Sequence, residues 1–541
     1  MDTLFINGKI YTLEEEGRSV EALGVKDGKI AFTGTNEEAK ALEAEEIVDL
    51  EGKTMIPGMA DAHMHMYAYC QNQTFVDLAD VKSLEEMVEK MSEKAKTAKP
   101  GAWIKGVNFD QSKWVENRFP VRQDLDRISK ENPVLIKRCC LHAVVVNTKA
   151  LELAGVDKNY NAGSGGIVEK EEDGTPNGIL REQSTKVFDE IIPDPFLDKE
   201  LRTEMFSNVM ADMASKGITG IHTYAAKIWN YNEDVEIYKE FQEKGELPIR
   251  ATVCIDDLFE PEVLTEEQKN DPYRQVQYGS YKLFSDGSMG SRSAALREPY
   301  SDDPENVGFV LFTQEEFTNK ILTGYKHGLQ PAIHAIGDRA LDMTLTAIEE
   351  TLRITKEEGM TQEEQDARLP FRVIHVQMAD KETIDRMAKL PLVLDMQPIF
   401  LNTDLHWIVD RIGPERAKGS FAMRSMIDKG LVLTGGSDCP VETYEPIKGM
   451  HLAVNRKDFD GKPEEGFYPE EKVTPYEALL MYTKNPHYAT GQQDVLGTLE
   501  VGKFADLAVL DQDILEIPEE TIKDVKVLKT YVAGRNTYML K

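Results

Sequence analysis

Basic residues are scarce in this sequence relative to acidic ones. Lysine and arginine total 63 against 95 Asp and Glu, leaving a formal net charge of −32 over 541 residues. That balance argues against nucleic acid or an anionic membrane surface as a partner, because phosphates need clustered cations. It leaves a small-molecule substrate open, since a local pocket can oppose the global sign. No apolar run approaches the ~20 residues needed for a membrane span. The first residues lack a basic stretch followed by an apolar one, so no secretory signal is expected. Cysteine is also sparse. The five present are odd in number and irregularly spaced, which fits a reducing cytoplasm better than a disulfide framework. There is no internal repeat and no low-complexity segment.

What is present is ordinary globular material, 41% hydrophobic and 29% charged, in a chain too long for one simple domain. Residues 4–10 and 25–30 each carry an Asn-Gly or Asp-Gly hairpin signal between apolar residues. Residues 504–510 and 527–532 read as strands, with Ala533-Gly534 as a turn. Neither end supplies enough strands for its own core, so the two are expected to combine into one β-sandwich. The expected domains are 1–58 with 491–541 as that sandwich, 59–70 with 200–490 as a barrel, and 71–199 as an insert.

The barrel expectation comes from counting strands. After residue 200, apolar runs at 217–224, 248–255, 276–284, 329–336, 371–376, 392–399 and 431–435 alternate with helix-like segments, including 315–327, 338–358 and 414–429. The run at 59–65 is the eighth strand, the number that closes a (β/α)8 barrel. Polar residues stand at the ends of these runs: His63 and His65, His222, Lys282, His334, His375 and Asp438. In such barrels, reactive groups gather at the C-terminal ends of different strands. His63 and His65 share a strand face, and two converging neutral imidazoles suit a divalent metal.

These residues carry a resemblance. The ordered set His63-x-His65, Lys282, His334, His375 and Asp438 resembles the amidohydrolase superfamily. Within it the chain is similar to the YtcJ-like branch, amidohydrolase family 3. The matching segments begin at Trp103, Lys282 (through Asp286 to Arg292), His334 (through Asp338 and Arg339), Gly436 and Gly502. Where that branch often has Glu before its sixth-strand histidine, this chain has Ile374.

The resemblance implies hydrolysis of a non-peptide C–N bond by water activated on divalent metal, with zinc the expected ion. His63, His65 and Asp438 would hold one ion, and His334 and His375 a second. Lys282 would bridge them as an N-carboxylated side chain. A carbamate offers anionic oxygens where an ammonium would repel the ions. The other reading of Lys282 is a plain lysine paired with a carboxylate, leaving one metal; Asp286 competes as a ligand or supporting partner. Asp438 is the expected acid–base group. His222 either polarises the carbonyl or only hydrogen-bonds a loop. Arg292, Asp338 and Arg339 are candidate substrate contacts.

The insert of roughly 130 residues far exceeds an ordinary βα connection and is expected to form a lid or substrate wall. It offers His142 and Trp114 as candidate substrate contacts, although packing is the stronger reading of its tryptophans. Its glycine run at 162–167 reads as a turn. Two rival readings stay open: a C–O or P–O bond cleaved at the same site, and a non-catalytic binding module. A homo-oligomer is compatible with all of this.

Overall fold

A computed structural model describes residues 1–138, 143–161, 166–224, 231–255, 271 and 273–540. The chain divides into two compact units, residues 1–67 with 208–541, and residues 68–207.

The larger unit contains an eight-stranded parallel sheet. Its strands are β1 (Met59–Met64), β2 (Ile218–Tyr224), β3 (Arg250–Ile255), β4 (Val276–Phe284), β5 (Pro331–Ala335), β6 (Phe371–His375), β7 (Leu392–Met396) and β8 (Val432–Gly435). They hydrogen-bond to one another in chain order from β1 to β8. All the expected runs are strands here. They read as near-continuous apolar segments because a parallel sheet is buried on both faces. Just past β8, the Asp438 N–H reaches the His63 carbonyl at 2.7 Å, and the His65 N–H reaches the Cys439 carbonyl at 2.7 Å. These bonds bring the first and last strands together, giving the expected TIM-like barrel. Gly436 permits the approach, since a Cβ there would lie 2.7 Å from the His63 nitrogen.

The helices cover the barrel for ordinary reasons. Gln314–Lys326 begins in a capping box, Thr313 with Glu316. Asp338–Glu357 buries Leu341, Leu345 and Ile348, spaced as one helical face. The 414–429 segment is not one helix, however. It is split between Ile408–Ala417 and Met423–Asp428. Phe421, between them, has φ +49°. The buried Arg456 guanidinium takes the carbonyls of Phe421 and Ser420 at 2.8 and 3.2 Å, groups that a continuous helix would use internally.

Both chain ends meet in the accompanying β-structure. Thr54–Pro57 pairs antiparallel with Leu507–Leu510 in a six-stranded sheet, and a four-stranded sheet is built from the N-terminal segment alone. Phe5, Leu23, Val25, Met55, Leu507 and Tyr531 share one core. Asp27-Gly28 closes a true hairpin, with Lys26 opposite Lys29. Asn7-Gly8 does not. Thr3–Ile6 and Lys9–Tyr11 lie in different sheets, so this turn, with Asn7 at φ +56°, passes the chain from one sheet to the other.

The unit 68–207 has its own six-stranded sheet, from Val76–Asp77 to Pro176–Glu182. Phe109, Trp114, Ile136 and Val145 lie in its core beneath the helix Leu84–Thr97.

Candidate metal centre

Strand β1 and the residue just past it deliver His63 and His65 with different amounts of shielding. His63 is fully buried, while the His65 side chain is 25% exposed. Both meet Asp438, His63 Nε2 at 3.2 Å and His65 Nε2 at 3.1 Å from Oδ1. Among the described residues this is the one group of His, Cys, Asp and Glu donors close enough to share an ion.

The hydrogen-bond directions fit a cation between them. His65 Nδ1 lies 3.1 Å from the Tyr224 carbonyl, which only accepts, so Nδ1 carries the proton. That leaves Nε2 as the ring nitrogen aimed at Asp438. Donor separations of 3.1–3.2 Å are also close to the tetrahedral edge of about 3.3 Å implied by zinc–nitrogen bonds of about 2.0–2.1 Å.

Electrostatics keep the donors in the required states. Burial, helped by Lys282, pushes His63 well below its usual range, so it is neutral. Burial alone would raise Asp438, but its bonds with His63 and His65 outweigh this and hold it well below the usual carboxylate range. Below the pair, Asp61 Oδ1 accepts the N–H groups of His63 at 3.0 Å and Ser437 at 3.1 Å. This clamps β1 to the segment after β8.

Lys282, His334 and His375 line the same cavity, of about 350 Å³, as His63, His65 and Asp438. Lys282 Nζ is 3.4 Å from His63 Nε2 and packed over the rings of Tyr224 and Phe284 at 4.6 and 4.9 Å. Burial pushes its amine down to about 7. The rings of His334 and His375 are 4.5 Å apart. His375 Nδ1 donates to Gln397 Oε1 at 2.7 Å, which turns Nε2 away from that bond. Burial also keeps His375 neutral, well below its usual pKa.

His375 departs from strand alternation. Phe371 and Val373 pack outside the barrel and Ile374 inside it, so a regular strand would direct residue 375 outward. Its φ of +76°, followed by +43° at Val376, re-aims the imidazole at a strain cost of roughly 1–3 kcal/mol per residue.

The other candidates lie elsewhere. His222 is buried in the barrel interior, its Nδ1 3.2 Å from Arg372 Nη2, and it does not line the cavity. Asp286 is occupied as a loop anchor, accepting the N–H groups of Ala295, Ile336 and Gly337 at 2.9–3.1 Å and standing 3.3 Å from His334 Nε2. Arg292 is held by Asp302 at 2.9 and 3.0 Å. Asp338 accepts the N–H groups of Arg297 and Arg339 at the start of its helix. The Arg339 side chain lines a separate surface depression with Asp342 and Met343. Trp114 is 3% exposed, packed against Phe109 in the core of its own unit. His142 lies outside the described residues.

Sequence reasoning missed Tyr224, whose ring stacks on His63 at 4.2 Å and whose carbonyl orients His65. A tyrosine two residues beyond the strand-end histidine was the available signal. It also missed the pair Arg372–Asp395, fully buried at 2.8 Å, which forms a polar layer beneath the site. Among the described residues, no helix is long and apolar enough to cross a membrane.

Comparison with known proteins agrees with this geometry. The chain is 31% identical to the protein named "Putative amidohydrolase YtcJ" of Bacillus subtilis (strain 168), over 99% of both chains. It is 28% identical to the N-substituted formamide deformylase of Arthrobacter pascens, over 98% of this chain and 97% of that one. The structure of an uncharacterized metal-dependent hydrolase from Pyrococcus horikoshii OT3 matches with a TM-score of 0.76 at 28% identity, covering 96% of this chain and 99% of that one. A model of the amidohydrolase family matches residues 46–538. An imidazole pair and a carboxylate at the mouth of an eight-stranded barrel, along a chain matched nearly end to end, belong together: this protein is a member of the amidohydrolase family.

Proposed function

We propose that the protein is a metal-dependent hydrolase of a non-peptide C–N bond in a small molecule: an amide, formamide, cyclic amide or carbamate. The observation that carries this reading is the meeting of His63, His65 and Asp438 within one cavity that Lys282, His334 and His375 also line. Relatives that include an N-substituted formamide deformylase support the bond type.

His63, His65 and Asp438 would hold one divalent ion, with zinc the best match to the donor set. His334 and His375 would hold a second. A buried Lys282 ammonium beside an imidazole is a costly neighbour for any cation. N-carboxylation would remove that charge and supply two oxygens, so that Lys282 would join the residues that hold the ions. Bound divalent metal supplies Lewis acidity, lowering the pKa of water to about 7.

The chain's own residues do the rest. Asp438, kept ionised, accepts the proton that water loses as its oxygen bonds to the carbonyl carbon. It returns that proton to the departing nitrogen as the C–N bond breaks. Tyr224 and Gln397 hold His65 and His375 in fixed tautomers, and Asp61 fixes the backbone under His63. His222 belongs in this reading to the supporting layer with Arg372.

The test is a hydrolysis screen of metal-replete protein on N-formyl, N-acyl, cyclic amide and carbamate compounds, with ester and phosphoester controls. Turnover confined to C–N substrates is expected. Turnover of esters or phosphoesters alone would overturn the reading.

A further inference from the structure

The cavity holds more polar groups than the metal centre uses. Asp404, 7% exposed, and Glu442, half-buried, line it together with Gln377. Thr403 Oγ1 lies 2.9 Å from Glu442 Oε1 and 3.3 Å from Asp404 Oδ1, yet its single proton serves only one carboxylate at a time. Gln377 Nε2 donates to Asp404 Oδ2 at 2.9 Å, and the Thr443 backbone assists Glu442. Among the described residues no arginine lines the cavity, and the one lysine that does, Lys282, sits beside His63. Burial and the neighbouring Glu442 push Asp404 up to about 7, and burial also raises Glu442. Both shifts mark carboxylates short of positive partners.

A second observation points the same way. Gln377, 2% exposed, keeps Oε1 without any hydrogen-bond partner. Its other atom is committed to a carboxylate, so the amide orientation is settled and the orphan is an acceptor. Asp404, Glu442 and Gln377 line one space together with Phe400 and Trp407, and the unpartnered amide oxygen of Gln377 lies beside the two carboxylates. Asp404 and Glu442 stand outside the group of described donors close enough to share an ion, His63, His65 and Asp438.

We propose that Asp404, Glu442 and Gln377 Oε1 form a subsite for a protonated amine of the substrate, whose apolar body lies against Phe400 and Trp407. An ammonium group offers three N–H donors and one positive charge. That is the complement of two carboxylates and one amide oxygen. The proposal deepens the C–N hydrolase reading and rests on it for the word substrate.

Two measurements on metal-replete protein test it. The first is calorimetric binding of benzylammonium against benzyl alcohol, its uncharged analogue, to wild type, Glu442→Gln and Asp404→Asn, each checked by circular dichroism and metal content. Benzylammonium should bind at least about tenfold more tightly than the alcohol, and each variant should lose about 10- to 100-fold of that affinity. Equal binding of the two ligands, or unaltered benzylammonium affinity in both folded variants, overturns the subsite. The second is kcat/KM for mono-N-formyl-1,4-diaminobutane against N-formylpentylamine, which has a methyl in place of the ammonium. The charged compound should be preferred by at least about tenfold. Preference for the neutral compound rejects the subsite and keeps the hydrolase. Carboxylate-dependent benzylammonium binding without hydrolysis of any C–N compound keeps the subsite and rejects the hydrolase.

Discussion

The main-chain N–H of Asp438 donates to the His63 carbonyl at 2.7 Å, while the side chains of the same two residues meet at 3.2 Å. One contact closes the barrel and the other joins two residues of the candidate metal centre, so fold and candidate site share a single junction. Asp438 has φ +55°, a conformation that asparagine and aspartate tolerate better than most residues.

Asp438→Asn tests the proton-carrying role with the least structural change. Asparagine keeps the size, the left-handed backbone and one oxygen donor, but it cannot take a proton from water. The variant should keep its fold and at least one metal per chain, while kcat falls by about 10²–10⁴-fold. Near-normal turnover would move the proton carrier to another residue.

Lys282→Ala tests the bridge. If the carbamate links two ions, elemental analysis should fall from about two metals per chain to about one, with most activity lost. Added acetate or propionate should restore part of both. Full metal content and activity in this variant would leave Lys282 a structural residue.

Arg372→Met should be strongly destabilising, by about 3–5 kcal/mol, because it strands the fully buried Asp395 without its partner. The double variant Arg372→Met with Asp395→Leu should recover much of that loss, since removing both charges removes the stranded one. Chemical denaturation midpoints of the three proteins are the measurement. A double variant no better than the single one would show that the layer depends on Arg372 for more than charge balance, through its bonds to Ala62 and His222.

Asp404 gives stability a pH dependence whose sign is opposite to that of an ordinary salt-bridged acid. Burial first, then Glu442, raises it to about 7 in the folded chain, above the ~3.9 of an unfolded aspartate. Between those values the folded state binds the extra proton, so this group's contribution weakens stability as pH rises from about 4 to about 7. The titratable group facing Asp404 is Glu442, and Thr403 and Gln377 supply its hydrogen bonds. Asp404→Asn should therefore raise the melting temperature relative to wild type more at pH 8 than at pH 5. An equal difference at both values would show that Asp404 is not protonated in the folded protein near neutrality.

The barrel and the set of polar residues gathered at its cavity were legible in the sequence because both rest on local rules. A parallel strand is a short apolar run, and polar residues at its C-terminal end face the mouth. His63, His65, Lys282, His334, His375 and Asp438 all obey this and reach one cavity. Even there, His375 needed a positive φ to face it, which no residue spacing reveals. The Asn7-Gly8 pair illustrates the same limit, since one dipeptide serves a hairpin or a passage between sheets depending on which strands wait beyond it.

What only the tertiary structure decided is the partner of each charge. Arg292 and Asp338 look as functional in sequence as Asp438, but Asp302 and the N–H groups of Arg297 and Arg339 satisfy them. Asp404 and Glu442 look like surface acids, yet they line the cavity, where the described basic residue is Lys282 beside His63. The physical reason is that side-chain electrostatics fall off over a few ångströms, and the groups that meet at this site lie up to hundreds of residues apart along the chain. Periodicity determines which residues can share a face; folding alone determines which charges are already neutralised and which still await a ligand.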